Sequence, residues 1–171
     1  MRAAGLFIAS ALAACSSGPT KEDRNMVARG PVQVIHRQYY RGSRATIVEN
    51  AAGRDIIKLR SRPLKKGDPY VTYVDDEVMA RLLKELRRMG FHDYAQARPA
   101  DPQSLGARGE VILVQPTGQV VALIRMRGQS AKIAESYKNC ALSVEAVQSM
   151  TLSPQASTSG TTQFGVRKVE K

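Results

Sequence analysis

Along residues 32–74, apolar and polar side chains alternate, and this period of two is typical of β-strands with one buried face. Stretches that contain Gly or Pro interrupt the alternation and indicate turns. The pattern predicts a meander of three strands followed by a fourth strand. These strands are expected at 32–41, 44–50, 55–62 and 70–74.

The second half of the chain contains two segments with helical periodicity. Apolar residues recur at spacings of three and four after Asp75 and Asp76, either of which can cap the first turn, and Gly90 can end this helix. Alternation around a Pro-Thr-Gly turn predicts a hairpin between the two helices. The hairpin strands and the second helix are expected at 110–115, 119–126 and 130–150.

The predicted order of elements is ββββ-α-ββ-α. It describes an α+β domain with a largely antiparallel sheet and two helices packed on one face. Polar residues without sustained periodicity lie on both sides of this domain. We therefore expect a flexible tether at 15–30, a single folded domain at 31–150 and a disordered tail at 151–171.

Charge is the most informative feature of the composition. The 171 residues include 26 Lys and Arg against 15 Asp and Glu, so the net charge is +11 and the protein should be attracted to anionic surfaces. Two His and two Cys exclude zinc ribbons and multi-disulfide scaffolds. The sequence also lacks the common hydrolase, nucleotide-binding and metalloprotease motifs. We expect no enzymatic activity, no metal and no cofactor.

The N-terminal residues have the parts of a secretory signal. Arg2 precedes a short apolar run, which is shorter than the roughly 20 residues that span a bilayer, and small residues precede Cys15. The sequence Leu12-Ala13-Ala14-Cys15 resembles the lipobox of bacterial lipoproteins. The resemblance implies that residues 1–14 are a signal peptide and that Cys15 becomes the lipidated N-terminus.

In that family the Cys thiol receives a diacylglycerol and the new amine is usually acylated, with chains such as palmitate. Each buried CH₂ contributes about 0.8 kcal/mol, so several chains give a stable anchor. The residue after Cys15 is Ser16 and not Asp, which in Gram-negative members of the family favours passage to the outer membrane. The resemblance thus implies an outer-membrane location facing the periplasm. The alternatives are an ordinary signal with a coincidental Cys and a cytosolic protein with an apolar start.

The predicted turns set a strand register, with Arg41 opposite Arg44, that gathers cations on one face of the meander. Arg offers paired donors to phosphates and carboxylates, so this face can bind an envelope protein, peptidoglycan or an anionic lipid. The alternative is a solvated face, as is normal in antiparallel sheets. The candidate binding residues are Arg37, Tyr39, Arg41, Arg44, Lys58, Arg60 and Arg62, accompanied by Thr46.

The same register aligns His36, Glu49 and Asp55 on the other face. A His with two carboxylates can ligate a metal or act as an acid/base group, or it can be a small ionic cluster. We expect the ionic cluster, because a fourth ligand is not evident and a slip of one residue abolishes the alignment.

Cys140 lies on the apolar stripe of the second predicted helix, which favours a buried unpaired thiol over an intermolecular disulfide. Export makes nucleic acid an unexpected partner, although Arg and Tyr are interleaved near residue 40. The sequence thus predicts a non-enzymatic, lipid-anchored envelope protein that binds an envelope partner or anionic component through a basic sheet face. The alternative is a small metal-dependent or hydrolytic periplasmic enzyme that uses His36, Glu49 and Asp55.

Overall fold

The computed structural model describes residues 18–40, 44–62, 66 and 70–152. Several sequence predictions concern residues outside these ranges. They are the signal peptide, the lipidated Cys15, Arg41 of the basic face, the turn at Gly42 and Ser43, and residues 153–171 of the tail.

The described residues form a single curled sheet with helices packed against it. The strand order is β3-β2-β1-β5-β6-β4, so β1 and β5 are central and β3 and β4 are at the edges. The strands are β1 (Gln33–Gln38), β2 (Ala45–Asn50), β3 (Val71–Val74), β4 (Gln96–Ala97), β5 (Ala107–Val114) and β6 (Val120–Met126). The helices are α1 (Lys21–Ala28), α2 (Ile56–Arg60), α3 (Asp76–Arg88), α4 (Phe91–Tyr94) and α5 (Ala131–Leu152).

The third predicted strand, at 55–62, is wrong. Asp55 accepts hydrogen bonds from the backbone N–H groups of Ile57 and Lys58, at 3.0 and 3.3 Å, and so caps α2. Every residue of α2 is at least partly exposed. The apolar residues that suggested a strand therefore do not fill a sheet face.

The helical crossover through α2 also changes the sheet. Because the chain returns through α2 before it re-enters the sheet, β3 pairs parallel with β2, whereas the other four strand pairs are antiparallel. The sheet is mixed, and the predicted ββββ-α-ββ-α order with a largely antiparallel sheet is incorrect.

The register between β1 and β2 differs from the prediction as well. Arg37 lies opposite Ala45, where the predicted register placed Tyr40, a shift of three positions. An odd shift exchanges the residues that share a face. Thr46 therefore lies opposite His36 on one face, and Arg37 lies on the other face.

Helix α1 occupies a segment that we expected within the tether. Thr20 and Asp23 form a capping box, in which each side chain accepts a hydrogen bond from the other residue's N–H at 3.2 Å. Val27 is buried in the main core, and Asp23 is ion-paired with Arg87 at 2.8 Å. Helix α1 is therefore part of the folded unit.

The sheet buries residues on both faces. On the helix face, α1, α3 and α5 pack over β1, β2, β5 and β6 and enclose the main core, which includes Val34, Leu83 and Val144. On the opposite face, which we call the open face, a smaller cluster contains Ile112 and Ile124. The predicted first helix, hairpin and second helix are confirmed by α3, by β5 with β6, and by α5.

Gly109 on β5 allows a close approach between the sheet and α5. A Cβ at this position would overlap the Tyr137 hydroxyl and would lie 2.9 Å from the Arg37 carbonyl oxygen. We predict that Gly109→Ala lowers the free energy of unfolding by about 1–3 kcal/mol, as overpacking does elsewhere. Urea unfolding measures this loss. The matched control is Gly18→Ala, whose Cβ would meet only the end of the Arg24 side chain, and equal stability of the two variants would contradict the packing account.

Candidate functional site

The structure places the predicted basic residues in two separate regions. Arg37 and Tyr39 are on the open face at the end of β1, and Arg44 immediately precedes β2. Lys58, Arg60 and Arg62 instead belong to α2 and the turn after it, beside edge strand β3.

Two of the cations on α2 contact the residue that caps α2 or the neighbouring strand β3. The Arg60 guanidinium donates to the Tyr73 carbonyl oxygen at 2.9 and 3.1 Å, and Lys58 lies 3.8 Å from the Asp55 carboxylate. The described cations therefore do not form the single sheet face that the sequence predicted.

The most distinctive group on the open face surrounds a fully buried carboxylate. Glu110 on β5 lies directly opposite Arg37 on β1. Arg98 donates to both carboxylate oxygens of Glu110, from Nε at 2.9 Å and from Nη2 at 2.8 Å, and the Tyr39 hydroxyl also donates to it. Such a two-point contact fixes the guanidinium in position as well as neutralising the carboxylate. We call Glu110, Arg98, Tyr39 and Arg37 the Glu110 cluster.

Arg37 is held less tightly than the other members of this cluster. Its Nη1 lies 3.9 Å from a Glu110 oxygen, and 36% of its side chain is exposed. Two cations and one carboxylate leave the cluster with one positive charge. Within the described part of the chain, the remaining donors of Arg37 have no partner, and they face solvent beside the ion pair of Arg98 and Glu110.

These donors open into a cleft of about 340 Å³ between the sheet and the segment 98–103. We call it the arginine cleft. Among the described residues that line it, Asp101 supplies the one carboxylate, which accepts hydrogen bonds from the N–H groups of Gln103 and Ser104, at 3.1 and 3.2 Å. The lining residues are Arg37, Tyr39, Ala45, Arg98, Ala100, Asp101, Pro102 and Gln103.

Both fixed donors of the cluster remain protonated at neutral pH. The hydrogen bond to Glu110 raises the pKa of Arg98, and burial, followed by the hydrogen bond to Glu110, raises the pKa of Tyr39. Since the Tyr39 hydroxyl and two N–H groups of Arg98 are already used by Glu110, the guanidinium of Arg37 supplies the main donors for a phosphate or carboxylate group in the cleft.

His36 lies on the helix face and is separated from the two carboxylates with which the sequence aligned it. Glu49 is on the open face, where it accepts a hydrogen bond from Arg54 at 2.6 Å, and Asp55 caps α2. Among the residues that the structure describes, no group of three or more His, Cys, Asp or Glu side chains is arranged to hold a metal ion.

The partners of His36 come from α5. Its Nδ1 is 3.0 Å from a Glu145 oxygen and its Nε2 is 3.0 Å from the Tyr137 hydroxyl. These partners indicate that Nδ1 donates to Glu145 and that Nε2 accepts from Tyr137. Burial lowers the pKa of His36 despite the opposing attraction of Glu145, and burial raises the pKa of Tyr137. The three residues connect α5 to the central strand through a neutral imidazole.

Cys140 is a buried free thiol on α5. Burial raises its pKa to about 11, so it is a protonated thiol at neutral pH and a weak nucleophile.

Sequence reasoning missed Arg98 and Glu110. The predicted hairpin strand begins at Glu110, whereas β5 begins at Ala107, and Arg98 lies outside every predicted element. Glu110 directly precedes the apolar run 111–114, and this position is the one signal in the sequence that its charge is buried. The partner of that charge depends on how the segment 98–106 folds over the sheet.

Comparison with protein-family models, with curated proteins and with solved structures found no match for this chain. Within the described residues, no helix is both long and apolar enough to cross a bilayer.

We predict that Glu110→Gln is strongly destabilising. The substitution keeps the shape of the side chain but leaves Arg98, which is 21% exposed, without a counter-charge. Loss of one partner of a buried pair costs about 3–5 kcal/mol, and the partial exposure of Arg98 places the expected loss near 3 kcal/mol. Urea unfolding at neutral pH tests this. Glu77→Gln, which removes exposed ion pairs with Arg24 and Arg81, should cost less than about 1 kcal/mol, and similar losses in both variants would contradict a special role for Glu110.

The lowered pKa of His36 predicts a loss of stability in mild acid. Below the unfolded-state value of 6.5, the unfolded chain binds a proton more readily than the folded chain, so stability falls as the pH drops through and below that value. His36→Gln should be less stable at pH ~7.5 but should lose less on acidification to pH ~5.5. Urea unfolding at the two pH values measures both effects. Burial also lowers the pKa of His92, so His92→Gln is measured as a control that gives the share of the pH dependence due to His92. An unchanged pH dependence of stability in His36→Gln would reject this account.

Proposed function

We propose that this protein is a non-enzymatic, lipid-anchored protein of the cell envelope whose arginine cleft binds phosphate or carboxylate groups. The observation that carries the proposal is the side chain of Arg37, which is 36% exposed in the cleft and whose one ion-pair contact with a described residue is 3.9 Å long. Arg98 and Tyr39, fixed by Glu110, form the wall against which an anion would rest.

Further cations near the cleft support this role. Backbone hydrogen bonds place Arg44 and Arg108 next to the end of β1, since Gln38 N–H donates to the Arg44 carbonyl at 2.8 Å and Tyr39 N–H donates to the Arg108 carbonyl at 3.0 Å. Neither side chain forms an ion pair with a carboxylate in the described part of the chain. Their charges add to the positive potential at this end of the sheet and would attract an anion before contact.

The expected anchor favours ligands at the membrane surface. Only five residue steps separate Cys15 from Thr20, which caps α1. A fully extended chain spans about 3.3–3.6 Å per residue, so the link reaches at most about 18 Å. With Cys15 lipidated, the domain would lie against the bilayer, where anionic headgroups and membrane proteins are the nearest partners. The lipobox resemblance supports an outer-membrane location facing the periplasm.

The test compares two charge reversals of equal size. Both are made in a Cys15→Ala background, which has no thiol to lipidate, so acyl chains do not contribute to the binding that is measured. Arg37→Glu alters the cleft, and Lys58→Glu alters exposed α2 beside β3. We predict that Arg37→Glu weakens binding to vesicles containing phosphatidylglycerol about tenfold, which is about 1.4 kcal/mol, at near-physiological salt. Lys58→Glu should weaken it less than about twofold, because its effect is long-range and screened.

Isolated peptidoglycan sacculi form the second arm, because they present carboxylates in place of headgroup phosphates. If Arg37→Glu weakens binding to sacculi but not to vesicles, the cleft binds cell-wall carboxylates. If it weakens binding to vesicles but not to sacculi, the cleft binds lipid phosphates. Equal losses in the two variants, or binding indifferent to both, would reject the cleft as the site. The anchor is tested separately on the wild-type chain, which should enter the detergent phase on Triton X-114 separation. Wild-type protein that stays in the aqueous phase and retains an unmodified Met1 would reject the anchor.

A further inference from the structure

The outer edge of β6 is only partly covered by another strand. Edge strand β4 is two residues long and pairs with Val121 and Ala122, and the N–H of Arg98 donates to the carbonyl of Val120. Outward-facing backbone groups recur at every second residue of a strand, so the edge continues at Ile124 and Met126.

The side chain of Gln129 occupies this remaining edge. Its Nε2 donates to the Ile124 carbonyl oxygen at 2.8 Å, and its Oε1 accepts from the Met126 N–H at 2.8 Å. A residue of a neighbouring parallel strand makes the same pair of bonds, to the carbonyl of one residue and to the N–H of the residue two positions later. The amide of Gln129 thus takes the place of a strand residue and masks an edge that could otherwise pair with another chain.

An apolar groove of about 210 Å³ lies beside this edge. Leu105, which is 59% exposed, forms part of one wall, and Ile124 and Met126 project from β6. Side chains of an added strand point alternately toward and away from the sheet face, so one apolar side chain of such a strand would enter the groove. The groove lining consists of Tyr94, Gln96, Pro99, Pro102, Leu105, Ile124, Met126, Gln129 and Ile133.

The charge around this edge selects the kind of chain that would fit. Arg127 directly follows β6, and Lys132 is in the first turn of α5. Both are exposed, and in the described ranges neither is ion-paired with a carboxylate. A segment with acidic residues next to apolar ones would complement this surface.

We propose that the edge of β6 at Ile124–Met126 binds an extended, acidic and apolar segment of a partner protein as an added strand. The segment displaces the Gln129 amide, takes over its two hydrogen bonds and inserts an apolar side chain beside Leu105. In this mode of recognition, main-chain hydrogen bonds supply affinity and the side-chain pocket supplies specificity. The site is separate from the arginine cleft, although segment 98–103 borders both.

The probe is an array of acetylated and amidated octapeptides in which Leu, Val or Met alternates with Glu, beside a matched array with Lys in place of Glu. Full-length protein in detergent micelles should bind peptides of the Glu array and not those of the Lys array. N-methylation of the backbone on the hydrogen-bonding side should abolish binding, since these groups are needed for strand addition. Absence of binding to the Glu array, or equal binding to both arrays, would overturn the proposal.

Two matched substitutions place the site on the protein. Leu105→Glu introduces a charge into the groove, and Leu142→Glu introduces one on the 48% exposed position of α5 as the control. We expect Leu105→Glu to weaken binding of the tightest peptide at least about tenfold, because a carboxylate must be desolvated in the groove, and Leu142→Glu to leave the affinity unchanged. Equal affinities in the two variants would overturn the proposal.

Gln129 provides an independent test. If its amide competes with the peptide for the edge of β6, removing it strengthens peptide binding, whereas removing a residue that contacts the peptide weakens binding. Gln129→Ala should bind the peptide about threefold to tenfold more tightly, since the edge is no longer masked by two hydrogen bonds. Gln129→Ser, whose side chain is too short to reach both atoms, should behave in the same way. Weaker binding by whichever of these variants retains the wild-type melting temperature would show that Gln129 is part of the binding surface and would contradict its role as a mask.

Discussion

The buried carboxylate of Glu110 is the constraint on which the open face of this protein depends. A fully buried charge is tolerated only with close partners, and the partners here come from two different segments, Arg98 after β4 and Tyr39 after β1. The pairing with Arg98 fixes the start of segment 98–106 over the sheet. That segment then forms one wall of the arginine cleft and one wall of the apolar groove beside β6. A single buried ion pair therefore shapes both proposed binding sites.

The central strand β1 separates two kinds of chemistry by one residue. His36 points to the helix face and is held neutral between Tyr137 and Glu145, whereas Arg37 points to the open face and keeps its charge in the cleft. Because successive residues of a strand face opposite sides, the stabilising contacts of α5 and the proposed binding surface do not compete for the same side of the sheet. This arrangement allows the surface charge of the cleft to change with limited effect on the main core.

Helix α1 alters the relation of the domain to its expected anchor. Its capping box at Thr20 and the ion pair between Asp23 and Arg87 extend the folded unit toward the N-terminus, into residues with the composition of a tether. A polar helix of eight residues has weak intrinsic stability and forms here because Val27 packs into the core and Asp23 is paired.

The sequence alone determined the features that arise from local pattern: α3, with its cap at either Asp75 or Asp76, the hairpin of β5 and β6, the apolar stripe of α5, the net positive charge and the lipobox resemblance. Tertiary structure decided what depends on long-range pairing. Residues 55–62 alternate like a strand but form α2 because Asp55 caps a helix and no sheet face receives their apolar side chains. The pairing of β1 with β5 brought Arg37 opposite Glu110, and the fold of the segment after β4 brought Arg98 to the same carboxylate, whereas Lys58 and Arg60 lie on α2. Partners far apart in the chain leave no periodic signal, and this is why the cleft emerged only from the folded molecule.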